Sequence, residues 1–323
     1  MNRRTFLAAA PAFAATAARA APIVRLGTLQ FGTVQWVADV IRRHDLDARQ
    51  GFALQTTTLA NTDAGRVSLM AGASDIVLSD WPFVAAQRAS GTKLSFASFS
   101  SSSGGVMTPA DSPIRTLADL RGTRLGIVGG PVDKSWLILQ AAARLQGIDL
   151  ATSVHPAYGA PPLLGAKLQQ GELDAVLTFW NFAAKLDAAG FHQAISVADC
   201  VKALGIAPDI AMVGFVFHDD WATANRTAIT GFLAAVDDAQ RLLVASDTEW
   251  SAIRPLMDAG DDALFNRLRQ RFVSGITCAN ADDQLRGATR LIAVLRETGG
   301  TQATSGLDSL PENVFWPVQH GAD

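Results

Sequence analysis

Gly72–Phe83 reads GASDIVLSDWPF, and 99 positions later Gly171–Phe182 reads GELDAVLTFWNF. Six of the twelve aligned positions are identical (Gly, Asp, Val, Leu, Trp and Phe), and a seventh exchanges Ser79 for Thr178. Two copies are too few for a solenoid and suit a duplicated α/β lobe. Gly72 and Gly171 stand where a helix must end and the backbone turn, a position suited to a residue free to take positive φ. Ile76–Ser79 and Ala175–Thr178 are short apolar runs fit for buried parallel strands. Trp81 and Trp180 then fall just past the carboxyl end of each strand, where open α/β sheets bind ligands. The expectation is two related lobes, each presenting a Trp at a cleft.

The chain of 323 residues is 49% hydrophobic and 18% charged, long enough for two domains. Its first twenty residues stand apart. Asn2-Arg3-Arg4-Thr5-Phe6-Leu7 is a twin-arginine pattern, an Ala-rich apolar run follows, and Ala18-Arg19-Ala20 is a cleavage signal. Together they read as a Tat-type export signal, residues 1–20, cleaved near Ala20, with the mature chain in the periplasm. The apolar run is too short, and too broken by Pro11, to span a bilayer. Removing residues 1–20 takes away Arg3, Arg4 and Arg19 and leaves 24 basic against 30 acidic residues, a balance that argues against nucleic acid as a partner. Cys200 and Cys278 allow one disulfide in an oxidising compartment, but two free buried thiols are the favoured reading, since a bridge between lobes would restrict their motion. No Cys/His cluster has zinc spacing, so neither metal nor cofactor is expected.

Residues 23–99 alternate strand and helix signals, β-α-β-α-β-α-β, which implies a mainly parallel sheet with crossovers. Ser100–Gly105, SSSSGG, is the clearest loop, and Pro109 and Pro113 follow it, so a lobe boundary is placed there. A second alternation follows: a short helix to Gly122, a strand at Arg124–Val128, a helix over Lys134–Gln146 and the second copy of the repeat. From Trp221 the texture becomes helical, and the tail carries Phe315-Trp316-Pro317, aromatics expected to pack back on the first lobe.

Four stretches taken in order carry a family resemblance: the strand-turn-helix at the mature start, Ser68-Leu69-Met70-Ala71-Gly72-Ala73-Ser74-Asp75, Ala118–Gly130, and Leu168-Gln169-Gln170-Gly171-Glu172-Leu173-Asp174-Ala175. Their order resembles the type II periplasmic solute-binding proteins of ABC importers. Within them it is similar to the group of nitrate, sulfonate and taurine binders and thiamine-precursor (NMT1/THI5-like) proteins, over about residues 23–300. The resemblance implies two α/β lobes with ligand trapped between them, crossed by strands at Ser103–Thr108 and Met212–Phe217. The first lobe would be 21–108 plus 215–323 and the second 109–214. The partners implied are a small organic solute (a sulfonate, a pyrimidine or an aromatic, planar compound) and a membrane permease with its ATPase, the binding protein acting as a monomer. A periplasmic sensor is the alternative. Pyrimidine-precursor synthases of the same fold use a reactive His and an iron-binding Cys-rich motif, neither of which the sequence contains, so no enzyme is expected.

Four loops are candidates for the ligand. Gln30, Phe31 and Thr33 follow the first strand, where a helix start offers backbone amides to an anion. Asp80 and Trp81 form the second: Trp81 is a candidate aromatic wall, and Asp80 is either a helix cap or a contact for a cationic or donor group. Gly130, Asp133, Lys134 and Trp136 form the third. It resembles the family's second-lobe loop for an anionic head group, but Pro131, Val132 and Asp133 stand where small or hydroxyl residues usually do, and Lys134 is either a compensating charge or a solvated surface residue. Trp180 and Asn181 form the fourth, as ligand wall and polar contact, or as core and cap. Ser102, within Ser100–Ser103, adds a hydroxyl near the hinge or belongs to a plain loop. No GxSxG, HExxH, P-loop or EF-hand pattern is present, and Asp219-Asp220 and Asp261-Asp262 read as helix-start caps.

Overall fold

The repeat is the organising unit of the fold, and it extends well beyond twelve residues. A computed structural model describes residues 21–30, 32–207, 210–277, 281–304 and 306–317; the expected export signal, Phe31 and Cys278 lie outside the described residues. The first half runs β1 (Ile23–Leu29), α1 (Val34–Arg43), α2 (Leu46–Arg49), β2 (Ala53–Leu59), α3 (Thr62–Met70), β3 (Ile76–Ser79), α4 (Trp81–Ala89) and β4 (Leu94–Ser100). The chain then enters β5 (Gly105–Thr108) and repeats the pattern as β6 (Arg124–Val128), α5 (Lys134–Arg144), α6 (Leu150–Ser153), β7 (His155–Gly159), α7 (Pro161–Gln169), β8 (Ala175–Thr178), α8 (Trp180–Ala188), β9 (His192–Ser196) and α9 (Val197–Ala203). It returns through β10 (Val213–His218) to α10 (Asp219–Ala224), α11 (Arg226–Ala245), α12 (Asp247–Ile253), α13 (Asp262–Ser274) and α14 (Ala281–Ala303).

Two five-stranded sheets result, ordered β2-β1-β3-β10-β4 and β7-β6-β8-β5-β9. In the first, β10 is antiparallel to both β3 and β4; in the second, β5 is antiparallel to both β8 and β9. Each sheet therefore has four strands running one way and one, received from the chain leaving the other half, running against them. This is the two-lobed architecture of type II periplasmic binding proteins. The exchange moves the boundary expected from the sequence. Gly105–Thr108 pairs in the second sheet, not the first, and Val213 and Gly214 already pair in the first. Among the described residues the crossings are 101–104, 204–207 and 210–212, irregular segments flanking strands, where an apolar run suggests the strands themselves.

Local chemistry is duplicated along with topology. The Asp75 carboxylate accepts from the Arg25 backbone N–H at 2.9 Å and from its guanidinium at 3.0 and 2.5 Å, while Arg25 also donates to the Gly72 carbonyl. Asp174 accepts from the Arg124 N–H at 2.7 Å and its guanidinium at 3.2 and 2.6 Å, and Arg124 donates to the Gly171 carbonyl. In each lobe this clamp ties the first strand to the turn before the third, a turn that Gly72 (φ 69°) and Gly171 (φ 72°) make in the left-handed region as expected. The signal was in the sequence: Arg25-Leu26-Gly27 and Arg124-Leu125-Gly126 are the same tripeptide at the same 99-residue offset.

The apolar face of α1 (Trp36, Val37, Val40, Ile41) is buried in a first-lobe core with Phe215, Phe232, Trp250 and Phe272. A second buried cluster holds Trp81 and Phe96 of the first lobe, Leu125 and Trp136 of the second, and Ala288, Leu291 and Leu295 of α14. The helix α14 packs on α5, so this C-terminal element, expected with the first lobe, lies against the second. The tail then returns. The Phe96 N–H donates to the Val314 carbonyl and the Trp316 N–H to the Phe96 carbonyl, both at 2.8 Å, with Phe315 edge-on to Phe96. This is the aromatic docking that the sequence suggested. Cys200 is buried with a free thiol, and burial, aided by Asp199, pushes it up to about 12. No helix among the described residues is long and apolar enough to cross a membrane.

Candidate functional site

The ends of β1, β3, β6 and β8 lead into helices α1, α4, α5 and α8, and the two lobes meet through these starts. Asp80 caps α4, its Oδ1 accepting from the Phe83 N–H at 3.1 Å. The same carboxylate is 3.3 Å from Arg66 Nη2, and its other oxygen is 3.9 Å from Lys134 Nζ across the lobe boundary. Lys134, the first residue of α5, donates at 3.0 Å to the carbonyl of Met212, in the return crossing. Asp80 is thus a cap and also a carboxylate between two cations, of which Arg66 pairs in addition with Asp63 at 3.3 Å. Lys134 is a bridge between lobes, not a solvated surface lysine.

Asp133 caps α5, accepting from the N–H groups of Ser135 at 2.9 Å and Trp136 at 3.2 Å. Burial pushes its carboxyl above the usual range, against the opposing pull of these amides and of Lys134. It approaches the preceding loop closely, for a Cβ on Gly129 would sit 2.5 Å from its carboxylate. A carboxylate thus fills the start of α5, where the resemblance implied an anionic head group; like charges there are unfavourable.

Two of the expected aromatic walls are core residues. Trp81 is 0% exposed, among Val84, Leu94 and Phe96, and Trp136 is 3% exposed in the same cluster. Both lie in the first turn of their helices, α4 and α5, and both pack into the apolar cluster that the two lobes share. The buried indole N–H of Trp81 has no partner among the described residues. Trp180 differs. It is half-buried, its ring edge-on to Trp36 of the first lobe at 6.4 Å and 90°. Ser102 spends its hydroxyl on the Arg271 carbonyl at 3.3 Å, and Ser100 and Ser101 donate to the Gly275 carbonyl, so the serine run is a clasped hinge. Gln30, Thr33 and Gly130 lie in exposed or half-buried turns after β1 and β6 and Asn181 in the first turn of α8, and the side chains of Gln30, Thr33 and Asn181 make no hydrogen bond among the described residues; Phe31 lies outside them.

Other cross-lobe residues had no signal in the sequence. Arg271 of α13 donates to Gln193 Oε1 at 2.7 Å and pairs with Asp187 at 3.4 Å, Arg267 pairs with Asp187 at 3.4 Å, and Lys185 with Asp258 at 3.1 Å. These partners are more than 70 residues apart, beyond any local pattern. Arg66 had a signal only in hindsight, since it aligns in the repeat with Gly165. The arrangement offers helix starts, hydroxyls and balanced charges for holding a small polar molecule. Among the described residues no three His, Cys, Asp or Glu groups are placed to hold a metal.

Comparison with known proteins places this geometry. A family model described as NMT1/THI5 like matches residues 48–249. A curated relative, the putative aliphatic sulfonates-binding protein of Escherichia coli (strain K12), is 27% identical over 139 residues. That match covers 42% of this chain and 40% of the relative, so the chain spans well under half the length of the curated relative it matches. Among solved structures, the periplasmic aliphatic sulphonate binding protein SsuA from Escherichia coli superposes with a TM-score of 0.68 at 18% identity, covering 91% of this chain and 95% of that one. The alkanesulfonate-binding protein SsuA from Xanthomonas axonopodis pv. citri, bound to MOPS, gives 0.66 at 17% identity over 92% and 97%. An ABC transporter from Parabacteroides distasonis gives 0.69 at 13% identity over 92% and 99%. At these identities the superpositions establish the shared fold.

Proposed function

The chain belongs to the NMT1/THI5-like family, and from that premise we propose that it is the solute-binding component of an ABC importer. It is exported through residues 1–20 and works in the periplasm, where it closes on a small organic solute and presents it to a membrane permease. The lobes divide at residues 101–104 and, among the described residues of the return, at 204–207 and 210–212, and solute sits between the strand ends. The observation that carries the reading is the cross-lobe group of Asp80, Lys134 and the Met212 carbonyl. Polar groups from both lobes and a crossing segment converge there, and a molecule bound among them links closure to occupancy.

Charge at the helix starts narrows the solute. Arg66 is paired with Asp63 and Asp80, and Lys134 lies between Asp80 and Asp133, so these side chains balance. What favours a ligand with an anionic group is the start of α8, which has neither a side-chain cap nor an acidic residue in its first turn. With Trp81 and Trp136 in the core, Trp180 and Phe179, 40% exposed, remain to meet an apolar part. A small organic anion of the sulfonate or carboxylate type fits better than a neutral pyrimidine or an amine. A thermal-shift screen over alkane- and arylsulfonates, aromatic acids, pyrimidines and amines tests this. Ligand at a hundredfold excess over Kd stabilises the native state by about 2.7 kcal/mol. No shift from any class, with a cooperatively folded protein, would sink the solute-binding reading.

A further inference from the structure

We infer that the anionic group of the solute docks at the start of α8, on the Thr178 hydroxyl and the first-turn amides of that helix, and not at the start of α4 or α5. This rests on the solute-binding reading above. Its support is the difference between the two copies of the repeat. In the first, Arg66 Nε donates to Ser79 Oγ at 3.1 Å, Arg66 Nη2 reaches Asp80, and Asp80 caps α4. In that copy the hydroxyl and the helix start are both satisfied. At the 99-residue offset the hydroxyl is kept, but both of its charged neighbours are missing. Arg66 becomes Gly165, where an added Cβ would find only Leu186 Cδ2, at 4.0 Å. Asp80 becomes Phe179, which gives α8 no side-chain cap, and the first turn of α8 has no acidic residue. Ser79 becomes Thr178, 3% exposed, whose hydroxyl has no hydrogen-bond partner among the described residues.

Ser79 marks where a hydroxyl at this register lies: one arginine side chain reaches both it and the start of the following helix. The Thr178 hydroxyl holds the same register beside the start of α8. Buried polar groups in folded proteins are hydrogen-bonded as a rule, so an orphan hydroxyl beside an uncapped helix start marks a place prepared for an acceptor. The other starts are occupied. Asp80 fills that of α4 and Asp133 that of α5, and in α1 the N–H groups of Gln35 and Trp36 are turned back to the carbonyls of Gly32 and Thr33.

Isothermal titration with ethanesulfonate, benzenesulfonate, benzoate and neutral benzamide tests this on wild type, Thr178→Val, Thr178→Ser and Phe179→Asp, each checked by circular dichroism. Wild type is expected to bind at least one anion and to prefer benzoate to benzamide. Thr178→Val, nearly isosteric, weakens the anion by about tenfold or more while Thr178→Ser retains it, and Phe179→Asp, which installs the first lobe's cap, abolishes the preference for anions. Anion binding at wild-type affinity in Thr178→Val overturns the inference but leaves the solute-binding reading standing. So does binding of benzamide alone, unchanged in that variant. Binding of none of the four probes, nor of any solute in the thermal screen, removes the reading itself and this inference with it. If Phe179→Asp fails to fold, the Thr178 pair decides.

Discussion

Asp133 holds two amides at the start of α5 and gives up hydration to do so. Its native carboxyl lies above its unfolded value because burial outweighs the amides and Lys134. The native state therefore binds the extra proton in the window between the unfolded and the native value. Stability from this group rises as pH falls through that window, and above it the charged form is a net cost. Asparagine keeps the capping oxygen without the charge. Asp133→Asn is expected to raise Tm by about 2 °C at pH 7, an advantage that shrinks on acidification into the ordinary carboxylate range; equal melting at neutral pH would refute the burial argument. The clamp residues carry the opposite sign. The Arg124 guanidinium and N–H hold Asp174 below the usual range, so its contribution is present above the unfolded value and fades as pH falls through the lowered native one. Asp174 is half-exposed and its pair is screened, whereas Asp75 is buried. Asp75→Ala, which strands a buried N–H and a guanidinium, should cost about 3 kcal/mol, and Asp174→Ala about 1 kcal/mol. Urea titrations with unchanged slope would check the ranking, and equal losses would contradict it.

At the scale of elements, the repeat made both lobes legible because hydrophobic runs and glycine turns are local signals. Helix α4 and strands β1, β3 and β8 lie where the pattern puts them. What stayed hidden was long-range. An apolar run does not reveal which sheet it joins, so β5 and β10 were read as crossings although each is the antiparallel member of the other half's sheet. Of the candidate site, position past the strand ends was readable and side-chain direction was not: the same register that leaves Trp180 against Trp36 puts Trp81 into the core. Trp81→Ala should therefore cost about 4 kcal/mol by emptying a core position, and Trp180→Ala much less, by the same urea measurement. The junction before β5 makes a sharper demand. A Cβ on Gly104 would lie 1.6 Å from the Thr178 carbonyl oxygen and 2.7 Å from its carbon. Those are backbone atoms of β8, which cannot rotate away. Gly104→Ala must push the crossing off the strand end and is expected to cost about 3 kcal/mol; a loss under 0.5 kcal/mol would show that the crossing yields freely.

Over the whole molecule, two lobes of like topology are joined by the crossing at 101–104, by the return whose described residues are 204–207 and 210–212, and by a C-terminal segment whose helix α13 packs on α8 and whose helix α14 packs on α5. Both lobes are thus gripped by one run of chain, and the gap between them is spanned by charged side chains. Asp187 of α8 receives both Arg267 and Arg271. Such partly exposed pairs add about 1 kcal/mol at most, too little to lock the lobes shut but enough to change the ratio of closed to open molecules about fivefold. Asp187→Ala should therefore leave the fold intact and raise the open population of the free protein. Small-angle scattering would show this as a larger radius of gyration without solute and an unchanged one with saturating solute. Because apparent affinity scales with the fraction of binding-competent molecules, Kd should rise by no more than about fivefold. Salt offers a check on the cause, since at 1 M the screening length shrinks to about 3 Å; wild type at high salt should approach the variant, and the variant itself should hardly respond. A free-state radius of gyration that is the same for both proteins at every salt concentration would mean that the apolar contacts of Trp36, Trp180 and Ala184, and not the ion pairs, set the resting angle between the lobes.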